Sequence, residues 1–286
     1  MFDDSELRAI RGAVEDFVRS EIKRESDIFK MWERGLDLGY FNLSALKAIE
    51  SSEVFSAVHE VSPEIGHKLL YLSISNHLFG DLASLAIPLG GTLITDWVQG
   101  NYVVVAADAA KLVKASSEFL TTEVSRLRSV EVLKTKKIDF GPLLNVLLAS
   151  RCVGTAIHAY DLAIRYVKET GLKWNYCHIF EKLGEISAEI SASKLLTRYS
   201  ALRIKSEDAK RLTEMALWKA AVTAVMAVDE AVLIQEGAYK YLEDFKVGIF
   251  RDFAQIRHRS PKTASVHSLK VSELYYPKAI NFSPFS

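Results

Sequence analysis

The sequence predicts a mainly α-helical protein, in which a small β-domain separates an N-terminal helical unit from a C-terminal antiparallel four-helix bundle. Helix-breaking residues are scarce, with 6 prolines and 14 glycines among 286 residues. Several long segments place apolar residues at steps of three and four, which is the spacing of one face of a helix. A central stretch instead contains short β-branched runs, which favour strands.

The N-terminal unit, residues 1–88, is predicted to be all-helical. Acidic residues and Ser5 give a start signal for a first helix over Asp4 to Lys23. A short second helix carries Ile28 and Trp32 and is expected to stop between Gly35 and Gly39. Further helical pieces are predicted at Ser44–Ile49, Ser52–His59 and Pro63–Leu82.

The β-domain is predicted over residues 89–140. Gly90-Gly91 is a turn signal, and short β-branched runs follow it. The strand candidates are Thr92–Thr95, Tyr102–Val105, Glu118–Val124 and Val130–Thr135. We expect a mostly antiparallel sheet of three to five strands, too short for a large barrel.

The four-helix bundle is predicted over residues 141–257. The third of its helices, Asp208 to Ile234, is apolar on most sides, so we expect it to be the central helix, capped by Ser206. Lys219 within it argues against a membrane span. A tail follows over residues 258–286, and its aromatic residues suggest that it docks on something. The four predicted helices are Pro142–Gly171, Cys177–Ile204, Asp208–Ile234 and Leu242–Arg257.

Composition excludes some classes of function. Lys plus Arg and Asp plus Glu are both 36, and a neutral chain gives little reason to expect nucleic-acid binding. The acidic N-terminus has no features of a signal peptide. Cys152 and Cys177 lie in helical patterns and are interpreted as buried free thiols rather than a disulfide. We therefore expect a cytoplasmic protein without a membrane span.

Several segments, in this order, resemble the acyl-CoA dehydrogenase family. The stretch from Val153-Gly154 through Tyr166 is similar to the family's "alG.a..ald.a..Y" helix, and Leu183-Gly184-Glu185-Ile186 to its "lAdm" helix. Gln235 to Tyr239, followed by Phe250-Arg251-Asp252, resembles its "GGxGy…yRD" stretch. Trp32 to Phe41 resembles its "lgelGl.g" turn.

The resemblance implies an FAD between sheet and bundle, with a glutamate that removes the α-proton of an acyl-CoA thioester. The chain departs from that pattern, because the two family positions for this base fall on Ser260 and Leu144. The adjoining arginine that helps to hold CoA becomes Asn145. The family's flavin contact falls near Thr170, Lys173 and Trp174, and Gly237 is what remains of its glycine motif. The "TEP..GSD" stretch is absent, and the sheet domain is about half its expected extent.

Other candidate sites have simpler interpretations. Glu64-x-x-His67 has the spacing of di-iron bundles, but no second copy is present, so chance is favoured. His158 is interpreted as a hydrogen-bonded histidine at a helix surface rather than an acid or base. Lys219 is interpreted as a structural lysine, with Asp229 or a phosphate as alternative partners. A basic cluster suits CoA or FAD phosphates, although a solvated tail is the favoured alternative; its members are Arg257, His258, Arg259 and Lys262.

Two functional hypotheses remain. The first is a divergent or non-catalytic subunit of an FAD-dependent acyl-CoA oxidising assembly. The alternative is an enzymatically silent binding or scaffold protein on the same fold, without flavin. We expect weak or absent FAD binding, and acyl-CoA remains a candidate ligand. The partner is expected to be a second copy, in a homodimer or homotetramer, or a full-length acyl-CoA dehydrogenase subunit.

Overall fold

The structure of the chain is a computed structural model. Its described residues are 4–24, 26–89, 92–95, 97–105, 109–119, 125–170 and 177–234. In these ranges the helices are α1 Asp4–Lys23, α2 Ile28–Asp37, α3 Ala48–Val61, α4 Pro63–Phe79, α5 Gly141–Thr170, α6 Cys177–Leu202 and α7 Ala209–Ile234. The strands are β1 Ser84–Leu89, β2 Thr92–Thr95, β3 Asn101–Val105, β4 Ala109–Phe119 and β5 Ser125–Lys137. The predicted class, mainly helical with a small β-domain, is confirmed.

The β-domain is a closed five-stranded barrel in the order β1-β2-β5-β4-β3. Neighbouring strands are antiparallel except β1 and β3, and the barrel closes where Thr95 of β2 pairs with Ser125 of β5. The mostly antiparallel sheet is therefore confirmed. Of the strand predicted over Glu118–Val124, Glu118 and Phe119 are the last residues of β4, and the rest lies outside the described residues. The first strand begins at Ser84, within the range assigned to the N-terminal unit.

The helix at the centre of the helical part is α5. It packs against α3, α4, α6 and α7. The prediction that α7 is surrounded on most sides is wrong, because Val222 and Leu233 are 43% and 52% exposed. Helix α7 instead buries alanines, since their short side chains let two helices approach closely; these are Ala216, Ala220, Ala224, Ala227 and Ala231.

Three smaller expectations concern a membrane span, the cap of α7 and the cysteines. Gly141–Glu169 is long and apolar enough to cross a membrane by length and composition, but this is the core helix α5, which explains its composition. The predicted cap of α7 is wrong, because the Ser206 hydroxyl donates to the Arg203 carbonyl and to the Asp208 carboxylate. Cys152 is buried on α5 and is a thiol rather than part of a disulfide, as predicted; the side chain of Cys177 is outside the described part of the chain.

Helix α3 joins the end of the predicted piece Ser44–Ile49 to the predicted piece Ser52–His59, and residues 44–47 of the first piece are not helical. It packs against α5 and α6, so a helix from the N-terminal unit forms a wall of the bundle. The predicted fourth bundle helix, Leu242–Arg257, lies outside the described residues, and the domain boundaries stay predictions.

Helices α3 and α5 meet at a close backbone contact. A Cβ added at Gly154 of α5 would lie 2.3 Å from the backbone oxygen of Ser56 and 2.7 Å from the Cβ of His59. Two buried hydroxyls, Ser52 and Ser150, are hydrogen-bonded across the same contact at 2.8 Å. Glycine is therefore required at residue 154 because a larger side chain would not fit. Its backbone conformation does not require glycine, since its φ lies outside the left-handed region.

His158 lies one turn beyond Gly154 and continues the contact. Its Nδ1–H donates to the Glu60 carbonyl of α3 at 2.8 Å. The pKa of His158 is lowered from 6.5 to about 4, first because burial disfavours the imidazolium, and then by Arg165 and Arg19 against the opposing effect of Asp161. The prediction of a hydrogen-bonded histidine is confirmed, although the side chain is half-buried rather than on the surface.

An ionic contact ties the first helix to this pair. The carboxylate of Glu53 on α3 is buried, accepts from Arg198 Nε of α6 at 2.5 Å, and lies 3.8 Å from Arg11 of α1. Arg11 also pairs with Glu60. Breaking a buried pair leaves an uncompensated charge, so α1, α3 and α6 are held together by more than apolar contact.

The close contact predicts the effect of adding one methyl group. Gly154→Ala should lower the free energy of unfolding by about 2–3 kcal/mol, because the new Cβ meets backbone that cannot rotate away. Gly184→Ala on α6 is the matched control, since its Cβ would meet nothing within 4 Å and alanine favours helix by up to about 1 kcal/mol. Urea unfolding followed by circular dichroism measures both. Equal effects in the two variants would contradict the assigned packing.

The buried imidazole predicts a pH dependence. As pH falls from 6.5 towards 4, the unfolded chain binds a proton at residue 158 that the native protein does not, so stability is lost over that window. His158→Gln keeps a donor for the Glu60 carbonyl but cannot titrate. The stability difference between wild type and variant should therefore shift by about 2–3 kcal/mol across the window and be constant above it. Curves that stay parallel from pH 7 to pH 4 would refute the assignment.

Candidate functional site

The first turn of α5 lies at the junction between barrel and helices, where the sequence placed a family base and a CoA contact. Phe140, immediately before α5, is buried, and its carbonyl accepts from the Leu144 backbone N–H at 2.9 Å. The Leu144 side chain is half-buried and packs against the main apolar core. The position therefore offers an apolar group and no proton acceptor, as the sequence predicts.

Asn145, the next residue, makes a contact between helices. Its Nδ2 donates to Oγ1 of Thr213 on α7 at 3.4 Å, and Thr213 is completely buried. The Thr213 hydroxyl in turn donates to the Lys210 carbonyl at 3.2 Å. The amide of Asn145 is thus engaged in joining α5 to α7. This contact does not support its predicted role in holding CoA, which stays a prediction.

Sequence analysis missed His77, a half-buried histidine in the last turn of α4. A hydrogen bond of 3.0 Å joins its Nδ1 to the Ser44 hydroxyl, and its ring lies 5.4 Å from that of Phe140. Burial lowers the pKa of His77, and the nearby charge of Lys136 lowers it further. Lys136 itself donates to the Leu78 carbonyl at 3.0 Å. His77 and the glycine that caps α4, Gly80, can be seen in the sequence. The partners of His77, however, come from distant segments of the chain.

On the barrel side of the junction, two hydroxyl side chains lie close together. Thr95 Oγ1 accepts from the Trp97 N–H at 3.2 Å, lies 3.0 Å from the Leu85 carbonyl, and is within 3.1 Å of the Ser84 hydroxyl. The Trp97 ring packs on Phe29 of α2 with centroids 6.1 Å apart. These hydroxyls form hydrogen bonds with each other and with nearby backbone groups.

The polar side chains described at the junction are engaged with other groups of the protein. The polar side chains of Thr95, Ser84, His77 and Asn145 all have partners within the protein, so this part of the chain presents no converging set of donors. The predicted flavin and CoA contacts elsewhere lie outside the described residues or have no described side chain. They are Thr170, Lys173, Trp174, Gly237, Arg257, His258, Arg259 and Lys262, and the same holds for the base position Ser260.

The remaining candidate residues have structural contacts. Glu64 pairs with Lys68 at 3.5 Å, and the Nδ1–H of His67 donates to the Pro63 carbonyl at 3.1 Å. Over the described ranges, no group of three His, Cys, Asp or Glu side chains could hold a metal ion. Lys219 pairs with Glu189 of α6 rather than with Asp229, so its interpretation as a structural lysine holds with a different partner.

A second buried polar group was also missed. Arg151 of α5 donates through Nη1 to the Tyr71 hydroxyl of α4 at 2.6 Å, and its guanidinium lies 5.7 Å from the centre of the same ring. The His67 ring meets Tyr71 edge-on at 5.7 Å. A guanidinium held by the hydroxyl and the ring of a tyrosine can fix two buried helices relative to each other, or it can bind an anion. Its only signal in the sequence is that Arg151 is the one charged residue between Gly141 and Ile157.

Comparison with known proteins agrees with the fold. Residues 145–257 match the family model described as "Acyl-CoA dehydrogenase, C-terminal domain". No curated protein sequence matches the chain. Among solved structures, a glutaryl-coenzyme A dehydrogenase in complex with glutaryl-CoA is similar with a TM-score of 0.68 and 15% identity, covering 97% of this chain and 96% of that one.

Two further structures are similar at comparable levels. The ChsE4–ChsE5 complex from Mycobacterium tuberculosis gives a TM-score of 0.62 and 14% identity over 96% of this chain and 98% of that one. XiaF from Streptomyces sp., in complex with FADH2 and glycerol, gives 0.66 and 11% over 98% and 99%. Identities this low show the shared fold. Together with the match over residues 145–257, they show that the chain has the fold of these structures and that its C-terminal part is similar to the acyl-CoA dehydrogenase C-terminal domain.

Proposed function

We propose that the chain is a non-catalytic subunit of an FAD-dependent acyl-CoA oxidising assembly in the cytoplasm. The observation that carries the proposal is the first turn of α5. Leu144 supplies an apolar side chain at one family position of the base, and Asn145 is bonded to Thr213 at the position of the CoA arginine. The other base position falls on Ser260, which lies outside the described residues.

The missing base has a large consequence for chemistry. The α-proton of a thioester is weakly acidic, so a carboxylate must lie within hydrogen-bond reach of it. A positioned base contributes roughly 10²–10⁴ in rate, and a leucine cannot accept a proton. The chain alone should therefore lack turnover even where a CoA ester binds.

Exposed apolar residues support a role in an assembly. Leu195 and Tyr199 of α6 and Trp218, Val222 and Leu233 of α7 are all exposed on the described bundle. Clusters of exposed apolar residues commonly mark interfaces between proteins. One structural neighbour is a complex of two different chains, ChsE4 and ChsE5. We propose a homodimer or homotetramer, or pairing with a full-length acyl-CoA dehydrogenase subunit.

The second candidate is an enzymatically silent binding or scaffold protein without flavin. The observation that favours it is the junction described above, where Thr95, His77 and Asn145 are engaged with other protein groups. The visible spectrum of the purified protein, alone and with a bound partner, distinguishes the candidates. Flavin absorbance in the mixed assembly favours the first, and its absence from every preparation favours the second.

The catalytic part is tested by dye reduction with short, medium and branched acyl-CoAs and added FAD. We expect no turnover from wild type, Leu144→Glu or Ser260→Glu alone, because a carboxylate without a held flavin and CoA ester has nothing to act on. Leu143→Glu is the matched control for the first substitution. Robust turnover by the wild-type chain would overturn the proposal, whereas activity in Ser260→Glu alone would show an intact pocket without its base.

The assembly part is tested by co-expression with a full-length acyl-CoA dehydrogenase and by light scattering. We expect a stable complex larger than the monomer, whose turnover is lost when the partner's base is replaced and kept when Leu144 is replaced by methionine. A monomer at micromolar concentration that co-purifies with no such subunit would contradict this part.

A further inference from the structure

The second half of strand β5 is exposed in a way that no other described strand is. Every residue from Arg128 to Lys137 is exposed, including Val132 at 52%. On one side this segment pairs with β4, from Glu131 opposite Lys114 to Lys137 opposite Ala109. On the other side, β2 pairs with Ser125 and Arg126 and with no later residue of β5. Among the described strands, residues 130–137 therefore form an open edge.

The backbone explains why the edge leaves the barrel. The pairing with β4 shifts between Lys114 and Ser116, and Ser129 has a φ of 50°, in the left-handed region. An irregularity of this kind bends a strand and increases its twist. The segment after the bend is anchored elsewhere, because Lys134 bonds Asp81 at 2.5 Å and Lys136 donates to the Leu78 carbonyl. The edge is thus held in place rather than loose.

The edge is also basic in a chain of zero net charge. Residues 130–137 contain Lys134, Lys136 and Lys137 against Glu131, and Arg128, just before them, pairs with Glu118 of β4. Apolar side chains lie among these charges, since Val130, Val132 and Leu133 are exposed. An unpaired edge that carries both apolar and basic groups is complementary to an extended segment that carries both apolar and acidic groups.

Charge selects among possible occupants of the edge. A second copy would place the same basic strand opposite this one, and like charges directly opposite are destabilising. The chain's own tail after residue 257 contains Arg259, Lys262, Lys270 and Lys278 against Glu273. Both are therefore disfavoured. Lysines on an edge are a common device against self-pairing, and they leave an acidic partner as the compatible one.

We propose that the outer edge of β5, residues 130–137, binds an extended acidic and apolar segment of a partner protein by strand addition. Backbone hydrogen bonds to the edge would hold the segment, and the surrounding cations would select its sequence. The inference does not rest on the proposed function, since a partner of any activity can supply such a segment. It identifies a contact surface separate from the exposed residues of α6 and α7.

The test uses a nine-residue peptide of alternating glutamate and valine as the probe, with the full chain. We expect saturable binding that weakens about tenfold between 50 and 500 mM NaCl, because exposed charges are screened. Hydrogen exchange of residues 130–137 should slow in the complex. Lys137→Glu should weaken binding about fivefold, whereas Lys168→Glu, at an exposed lysine of α5, should leave it unchanged.

Two control peptides make the result decisive. The same peptide with N-methyl groups on four consecutive central residues cannot form the ladder, so it should not bind. A lysine–valine peptide should not bind either. Equal binding of the methylated peptide, no binding of the glutamate peptide, or unchanged exchange in β5 would each overturn the proposal. None of these outcomes depends on flavin or on acyl-CoA turnover.

Discussion

The distance between the backbones of α3 and α5 is the constraint on which the rest of the helical structure depends. It is as short as it is because Gly154 carries no side chain where Ser56 and His59 lie. At that distance the Ser52 and Ser150 hydroxyls reach each other, and His158 reaches the Glu60 carbonyl. A helix encoded before the barrel is thereby packed into the bundle encoded after it. The N-terminal and C-terminal helices consequently share one core.

The sequence predicts those elements whose stability is local or whose apolar residues are large. Helix α1 has the predicted bounds, because its start signal and apolar spacing are both local. Helix α3 was divided in two because buried polar residues interrupt its pattern, and Glu53 is stabilised by Arg198, which is distant in the chain. The buried face of α7 was misplaced because alanines pack closely while larger residues such as Val222 face outwards. The barrel closes through Thr95 and Ser125, which are distant in the chain. The spacing of apolar residues in the sequence gives no information about such a pairing.

In the candidate site, too, local features could be predicted from the sequence and long-range contacts could not. The absence of a carboxylate at Leu144 follows from the residue itself, and the structure adds the apolar surroundings. What the neighbouring amide does was not predictable, because Asn145 bonds to Thr213 on a helix that begins much later in the chain. His77 and Arg151 were missed for a related reason. Each is a polar residue of a helix, and its surroundings are created by tertiary contacts with Phe140 and Tyr71.

The path of the chain into and out of the barrel has a consequence for how the protein can vary. The barrel begins after the glycine cap of α4 and ends just before α5, and the two ends meet where His77 lies against Phe140 and Lys136 bonds the Leu78 carbonyl. Segments whose ends are close together can be lengthened, shortened or exchanged with little disturbance to the body that carries them. The barrel is therefore an insertion between two helices that belong to one helical body. The helices can keep their packing when the barrel changes in length, provided that the contacts at its entry and exit are kept.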